Sequence, residues 1–216
     1  MARRVDHTRE ELAALVVGAA EEIARAEGLR GLTMRRIATA IGYAPGSIYN
    51  AVGDFDEVVL RVNARTLERL RDHLAGVVDP ARSPLDNALA VSDGYLAFVA
   101  GQPRLWGLIL EHVLPAGRGF PPWYEAALAG ATAFVDEVLT PLVPDEAERR
   151  RSVATLWAAL HGLASLSTSG KLAAVNDGEP REMGRFLVRR FFGAGEPSRD
   201  AAGRQRTEAD PSSPNA

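Results

Sequence analysis

Apolar residues recur with a helical period along most of the chain. Thr8-Arg9-Glu10-Glu11 has the form of a capping box, which predicts a first helix from Arg9 to about Glu27. Leu12, Leu15, Val16, Ala19 and Ile23 would make its buried stripe, and Gly28 would end it. Two short helices follow. Thr33 is a good N-cap, and Met34, Ile37, Ala38 and Ile41 fall at i, i+3, i+4 and i+7 behind it. Gly42 stops that helix, because glycine accepts the left-handed backbone of a helix end. Ala44-Pro45 restarts the chain, with Pro45 suited to a first turn. Ile48, Ala51 and Val52 then face inward, while Tyr43, Gly46, Ser47, Tyr49 and Asn50 face outward. Asp54 to Glu57 gives a second capping box and opens a long helix to about Val77. Phe55, Val59, Val62, Thr66 and Leu70 repeat on one of its faces, and Asp79-Pro80 breaks it.

Beyond residue 80 the pattern stays helical. Ser83-Pro84 opens a helix to about Gly101, and Pro103 opens a shorter one that Pro115 closes. Pro121-Pro122 precede a helix from Trp123 to about Leu142. Asp145 with Glu148 forms a third capping box, opening a helix to about Ser167. A loop to Asp177 leads to the last helix, from Glu179-Pro180 to Phe192. Residues 194–216 are rich in Pro, Ser, Gly and mixed charge and lack apolar periodicity, so a disordered tail is predicted. No segment alternates like a strand, and no repeat is visible. The prediction is all-α, with about nine helices.

Composition adds limits. Hydrophobic residues make up 46% and charged residues 25%, the balance of a globular protein. No cysteine is present, which removes disulfides, thiolate catalysis and Cys-ligated zinc, and fits a cytoplasmic location. No signal peptide or membrane-spanning segment is read. The net charge of −3 means that any nucleic-acid contact must rest on a local basic surface. Residues 1–50 hold seven Arg and six Asp/Glu, so that half is only slightly basic.

The two short helices around Gly42 have the proportions of a helix-turn-helix, whose second helix enters the DNA major groove. Tyr49 and Ser47 can bond phosphates, Asn50 a phosphate or a base edge, and Gly46 lets the backbone approach closely. Arg35 or Arg36 would face phosphate or be an ordinary surface arginine, and Arg3 and Arg4 could follow the minor groove or remain a solvated arm.

These residues resemble the N-terminal domain of TetR-family transcriptional regulators. The resemblance is carried by Gly28, Gly31, Leu32 and Thr33, by Arg35-Arg36-Ile37-Ala38, and by Gly42 with Gly46-Ser47-Ile48-Tyr49. It covers about residues 8–70. Leu156 to Gly162, with Trp157, His161 and Gly162, is similar to the Trp-His-Gly signature of one subfamily's C-terminal domain. The resemblance implies a DNA-binding domain over 8–54, a linking helix over 55–77 and an effector-binding and dimerisation domain over 82–193. It implies a homodimer through the last two helices, operator DNA as partner, a small apolar or amphipathic effector and no cofactor. The DNA-contacting set would be Thr33, Arg35, Arg36, Tyr43, Ala44, Pro45, Gly46, Ser47, Tyr49 and Asn50. The chain departs from the family pattern at Val52, where an aromatic is usual, and at Phe55, where a lysine commonly anchors phosphate. Asp54 and Asp56 beside it are unfavourable there.

In the C-terminal half, Phe98, Trp106, Ile109, Trp123, Tyr124 and Trp157, with His112 and His161, are candidates for a ligand cavity. Packing of aromatics in a helical core is the competing explanation. Catalysis finds little support. The histidines at 7, 73, 112 and 161 have no metal-ligand spacing, and Glu111-His112 lacks the second histidine of a zinc-protease motif. Ser169-Gly170-Lys171-Leu172 resembles the end of a phosphate loop, but Ser165 replaces its first glycine and Leu172 its Ser/Thr. The rival readings are a small helical enzyme working through Glu111, His112 or His161 on an apolar substrate, and a helical interaction protein without DNA.

Overall fold

Thr8 caps the first helix as its sequence predicts: its side chain accepts from the Glu11 amide, and Glu11 returns to the Thr8 amide. From there the computed structural model is helical throughout, and it describes residues 7–174 and 177–193. Arg3, Arg4 and the 194–216 segment lie outside the described residues. The described residues form nine α-helices: α1 (Arg9–Glu27), α2 (Met34–Ile41), α3 (Pro45–Val52), α4 (Phe55–Ala75), α5 (Pro84–Gly101), α6 (Pro103–Glu111), α7 (Pro122–Leu139), α8 (Glu146–Thr168) and α9 (Pro180–Gly193).

Most ends follow the cap and proline signals. Thr33, Ser83 and Asp145 accept from amides three residues on, and Pro45, Pro84, Pro103 and Pro122 sit in first turns. Gly42, at φ 73°, takes the left-handed turn between α2 and α3. Four expectations are corrected. The Asp145 cap accepts from the Glu148 amide, but no return bond from the Glu148 carboxylate completes a capping box among the described residues. The Asp54 cap accepts from the Glu57 amide, but the Glu57 carboxylate bonds Arg61 instead of returning to the cap. Helix α6 stops at Glu111, short of Leu114, because His112 turns extended. Helix α7 ends at Leu139, since Pro141 has no amide to continue it.

The buried face of α1 is also rotated from the predicted stripe. Val16, Val17, Ala20, Glu21 and Ala24 are buried, Leu12, Ala19 and Ile23 are half-buried, and Leu15 is exposed. The reason is that α1 is covered by α2, α3, α4 and α6 together, so one stripe does not describe its packing. Glu21 tolerates burial because Arg25 and, from α4, Arg69 both reach its carboxylate at 2.5 Å.

The apolar side chains gather into three clusters. The first joins Val16 and Ala20 of α1 to Ile37, Ile48 and Val52, to Val58, Val59 and Val62 of α4, and to Leu105 and Leu108 of α6. The second surrounds the rest of α4, with Leu67, Leu70, Tyr95, Trp106, Tyr124 and Leu160. The third holds Ala88, Leu89, Leu139, Val153, Leu156 and Val188. Helices α4 and α6 therefore each contribute to both the first and the second cluster.

Gly184 lets α9 lie against α5 and α8. A Cβ there would sit 2.8 Å from Leu96 Cδ1, 3.0 Å from Ser92 Oγ and 3.3 Å from Leu160 Cδ2. Gly184→Val is expected to cost about 1–3 kcal/mol by overpacking, more than the gain of at most about 1 kcal/mol from removing a helical glycine. Thermal unfolding checks this; an unchanged or raised midpoint would show that this packing has room to spare.

Candidate functional site

Helix α3 presents the polar surface expected of a reading helix. Ile48, Ala51 and Val52 hold it to the first cluster, which leaves Ala44, Pro45, Gly46, Tyr49 and Asn50 exposed and Ser47 half-buried. Tyr49 is 51% exposed. Tyr43, in the turn, is half-buried, and its hydroxyl lies 2.6 Å from His7 Nδ1. On α2, Thr33 Oγ1 is occupied as the N-cap of the Arg36 amide. The two arginines behind it differ. Arg36 forks onto Glu27 at 2.5 and 2.6 Å and donates to the Gly31 carbonyl at 2.8 Å. Arg35 is exposed and has no side-chain partner among the described residues.

The acidic start of α4 is paired internally. Arg118, in the loop between α6 and α7, donates to Asp54 at 2.6 Å and Asp56 at 2.9 Å. His112 Nε2 meets the other Asp56 oxygen at 2.9 Å. Arg118 holds the Asp54 carboxyl below its ordinary pKa, with help from the Glu57 amide. Two residues from the C-terminal half thus grip the turn that follows α3.

A cavity of about 320 Å³ lies between α4, α5, α6, α7, α8 and α9. This is near the lower limit for small-molecule sites, which run roughly 300–1,000 Å³. Leu67, Leu70, Val91, Leu128, Val135 and Leu156 make much of its wall, and the exposed lining residues Ala129, Thr132 and Trp157 mark a mouth between α7 and α8. Of the eight candidates from sequence, Trp106, Ile109 and Trp157 line it. Phe98 packs edge-on behind Trp106, and Tyr124 is buried in the second cluster. Trp123 lies at the surface under Arg61, whose guanidinium carbon is 5.3 Å from the ring centroid. His112 points to α4 instead.

His161 sits behind the wall. Its Nδ1 takes the Trp106 indole N–H at 3.2 Å and lies 3.1 Å from the Tyr95 hydroxyl, while Trp157 stacks on its ring. An indole N–H only donates, so Nδ1 is unprotonated and the Tyr95 hydroxyl must donate to it. Burial lowers the His161 pKa and raises that of Tyr95, so both groups stay neutral near pH 7. Tyr95 and Ser92 line the cavity from α5, and neither is among the candidates that the sequence singles out. Their i, i+3 spacing beside Val91 puts them on one apolar face, which is the signal that could have found them. Among the described residues no group of His, Cys, Asp or Glu could hold a metal ion, and no helix is long and apolar enough to cross a membrane.

Residues 88–191 match a family model described as tetracyclin repressor-like, C-terminal domain. The chain is similar to the uncharacterized HTH-type transcriptional regulator Rv0681 of Mycobacterium tuberculosis, 29% identical over 144 residues. That match covers 67% of this chain and 64% of the relative, so the chain spans under two thirds of its length. Among solved structures, a protein of unknown function from Rhodococcus sp. RHA1 superposes with a TM-score of 0.71 at 17% identity, covering 90% of this chain and 98% of that one. The transcriptional regulator FadR from Bacillus subtilis, solved in complex with stearoyl-CoA, superposes with a TM-score of 0.63 at 12% identity, covering 83% and 97%. At these identities the structural likenesses speak for the fold.

Proposed function

We propose that the chain is a TetR-family transcriptional regulator, a homodimeric repressor released from its operator by a small apolar or amphipathic effector. The observation that carries this reading is the double role of α6. Its Leu105 and Leu108 belong to the cluster that holds the reading helices, while its Trp106 and Ile109 line the cavity. A ligand against Trp106 and Ile109 presses on a helix that supports α1 and α4. It shifts the equilibrium only as far as it binds the released state better. That FadR was solved with stearoyl-CoA supports an apolar chain as the ligand type.

In this reading residues 8–54 are the DNA-binding unit, 55–77 the linking helix and 82–193 the effector and dimerisation unit. Tyr43, Ser47, Tyr49 and Asn50 meet phosphates and base edges, with the backbone at Ala44, Pro45 and Gly46 close to the DNA. Arg35 is the arginine that meets phosphate; Arg36 braces α2 against Glu27. Thr33 contributes as the cap of α2. Of the expected effector contacts, Trp106, Ile109 and Trp157 touch the ligand directly, and His161 acts behind them. The likeness of this half to the Trp-His-Gly subfamily rests on Trp157, His161 and Gly162 alone, whereas the family model matching residues 88–191 is described as tetracyclin repressor-like, C-terminal domain.

The dimer is proposed to form through α8 and α9. Trp157, Leu166 and Phe186 are exposed there at 44%, 40% and 62%, beside the exposed Ala158 and Ala159. A dimer would set two α3 helices about one DNA turn apart, roughly 34–36 Å, or at a related spacing. Sedimentation and mobility shift on the DNA beside its own gene test the proposal. A dimer should sediment and retard that DNA at low salt, and Leu166→Glu with Phe186→Glu should weaken both together. A monomer that binds DNA as tightly as the native protein would overturn it.

A further inference from the structure

Among the described residues, the cavity wall carries no Asp, Glu, Lys, Arg or His. The nearest ionisable ring, His161, lies behind Trp106 and spends its Nδ1 lone pair on the indole. It offers no counter-charge to a carboxylate and no free acceptor to an ammonium. Burying either ion without a partner is strongly unfavourable.

The polar atoms of the wall are few and unevenly used. Thr132 Oγ1 bonds the Leu128 and Ala129 carbonyls of its own helix. Ser92 Oγ is buried towards Gly184 of α9 and has no hydrogen-bond partner among the described residues. Tyr95 O–H shares a single lone pair of His161 with Trp106, at 3.1 and 3.2 Å. If the phenol turned to a ligand, the imidazole would keep its indole bond. Ser92 and Tyr95 are one turn apart on α5, so two of the wall's hydroxyl groups stand at one place, apart from Thr132 and the indole Trp157 at the mouth.

We propose that the effector is electrically neutral: a lipophilic molecule with a carbonyl acceptor, such as a ketone or ester, held by the Tyr95 hydroxyl with Ser92 beside it. The proposal rests on the cavity's being the effector site. Charge on the ligand is selected against by the wall, and the Tyr95 hydroxyl sets its orientation. Release of one bond from an over-shared acceptor makes Tyr95 the specificity-determining residue.

The test is calorimetric titration of the full dimer with a medium-chain methyl ketone, the carboxylate of equal length and the matching quaternary ammonium. The ketone should bind, with the two ions about tenfold or more weaker. Tyr95→Phe should weaken the ketone by roughly fivefold to tenfold, the worth of one hydrogen bond, without changing operator affinity. Equal or tighter binding of the carboxylate, failure of the ketone to bind, or an unaffected ketone in Tyr95→Phe overturns the proposal. Operator binding is measured in the same samples. A ketone that binds without releasing DNA sinks the release mechanism and leaves the ligand class standing. A charged ligand that binds the cavity and releases DNA does the reverse.

Discussion

Tyr49→Ala combined with Asn50→Ala will lower operator affinity by about a hundredfold or more while leaving the fold and the dimer as they are. Good base contacts are worth about 1–3 kcal/mol each, and a dimer loses them in both half-sites. The fold should be indifferent, because α3 is held by Ile48, Ala51 and Val52, whereas Tyr49 and Asn50 are exposed. Circular dichroism and sedimentation should match the native protein while fluorescence anisotropy on operator DNA shows the loss. Arg35→Ala gives a useful contrast. It should weaken all sequences alike and reduce the salt slope by roughly one for each phosphate that the protein no longer neutralises. An operator affinity within twofold of native for the double variant would place the reading surface elsewhere.

The prominence of Arg35 matters because the chain has a net charge of −3 and its α4 start is acidic. In the sequence, Asp54 and Asp56 read as a repulsion next to the DNA. The structure gives them partners, Arg118 and His112, which lie more than fifty positions away. Nothing local could have paired them. The same distance explains why the sequence predicts too long an α6, since its apolar pattern runs on to Leu114 while His112 leaves the helix and its ring reaches Asp56. By contrast, the ends of α1, α2, α3, α5, α8 and α9 were legible within a residue or two, because caps, prolines and Gly42 act on their immediate neighbours.

The cavity was legible only in part, for a different reason. Leu67, Leu70, Val91, Val135 and Leu156 look like any core residues, and only the spacing of the six helices leaves room between them. Large aromatics draw attention by type, yet Phe98 and Tyr124 pack and Trp123 serves the surface. His112 and His161 look alike as lone histidines on apolar helices. The structure separates them into a clasp on α4 and a backing for the cavity wall.

Arg118→Ala with His112→Ala is the second variant with a large expected effect, and that effect is on response. The native protein should lose operator affinity by about 5–150-fold when effector binds, the usual range of a coupling energy of about 1–3 kcal/mol. In the double variant this should fall to about twofold or less. The coupling runs along α6. Effector meets Trp106 and Ile109; one turn on, His112 caps the same helix and bonds Asp56, with Arg118 holding Asp54 and Asp56 beside it. Asp54 caps α4 directly after α3, so displacement of this clasp is displacement of the reading helix. Neither residue lines the cavity, so effector binding to the free protein should be nearly native. Stability should change little through Arg118, because ion pairs at an exposed guanidinium are screened by solvent. Linkage supplies a second reading of the same quantity: operator DNA must weaken effector binding by the factor by which effector weakens DNA binding. Both factors should collapse together in the variant. A native-scale response in either direction would mean that the ligand signal reaches α4 through the packed clusters and not through this clasp.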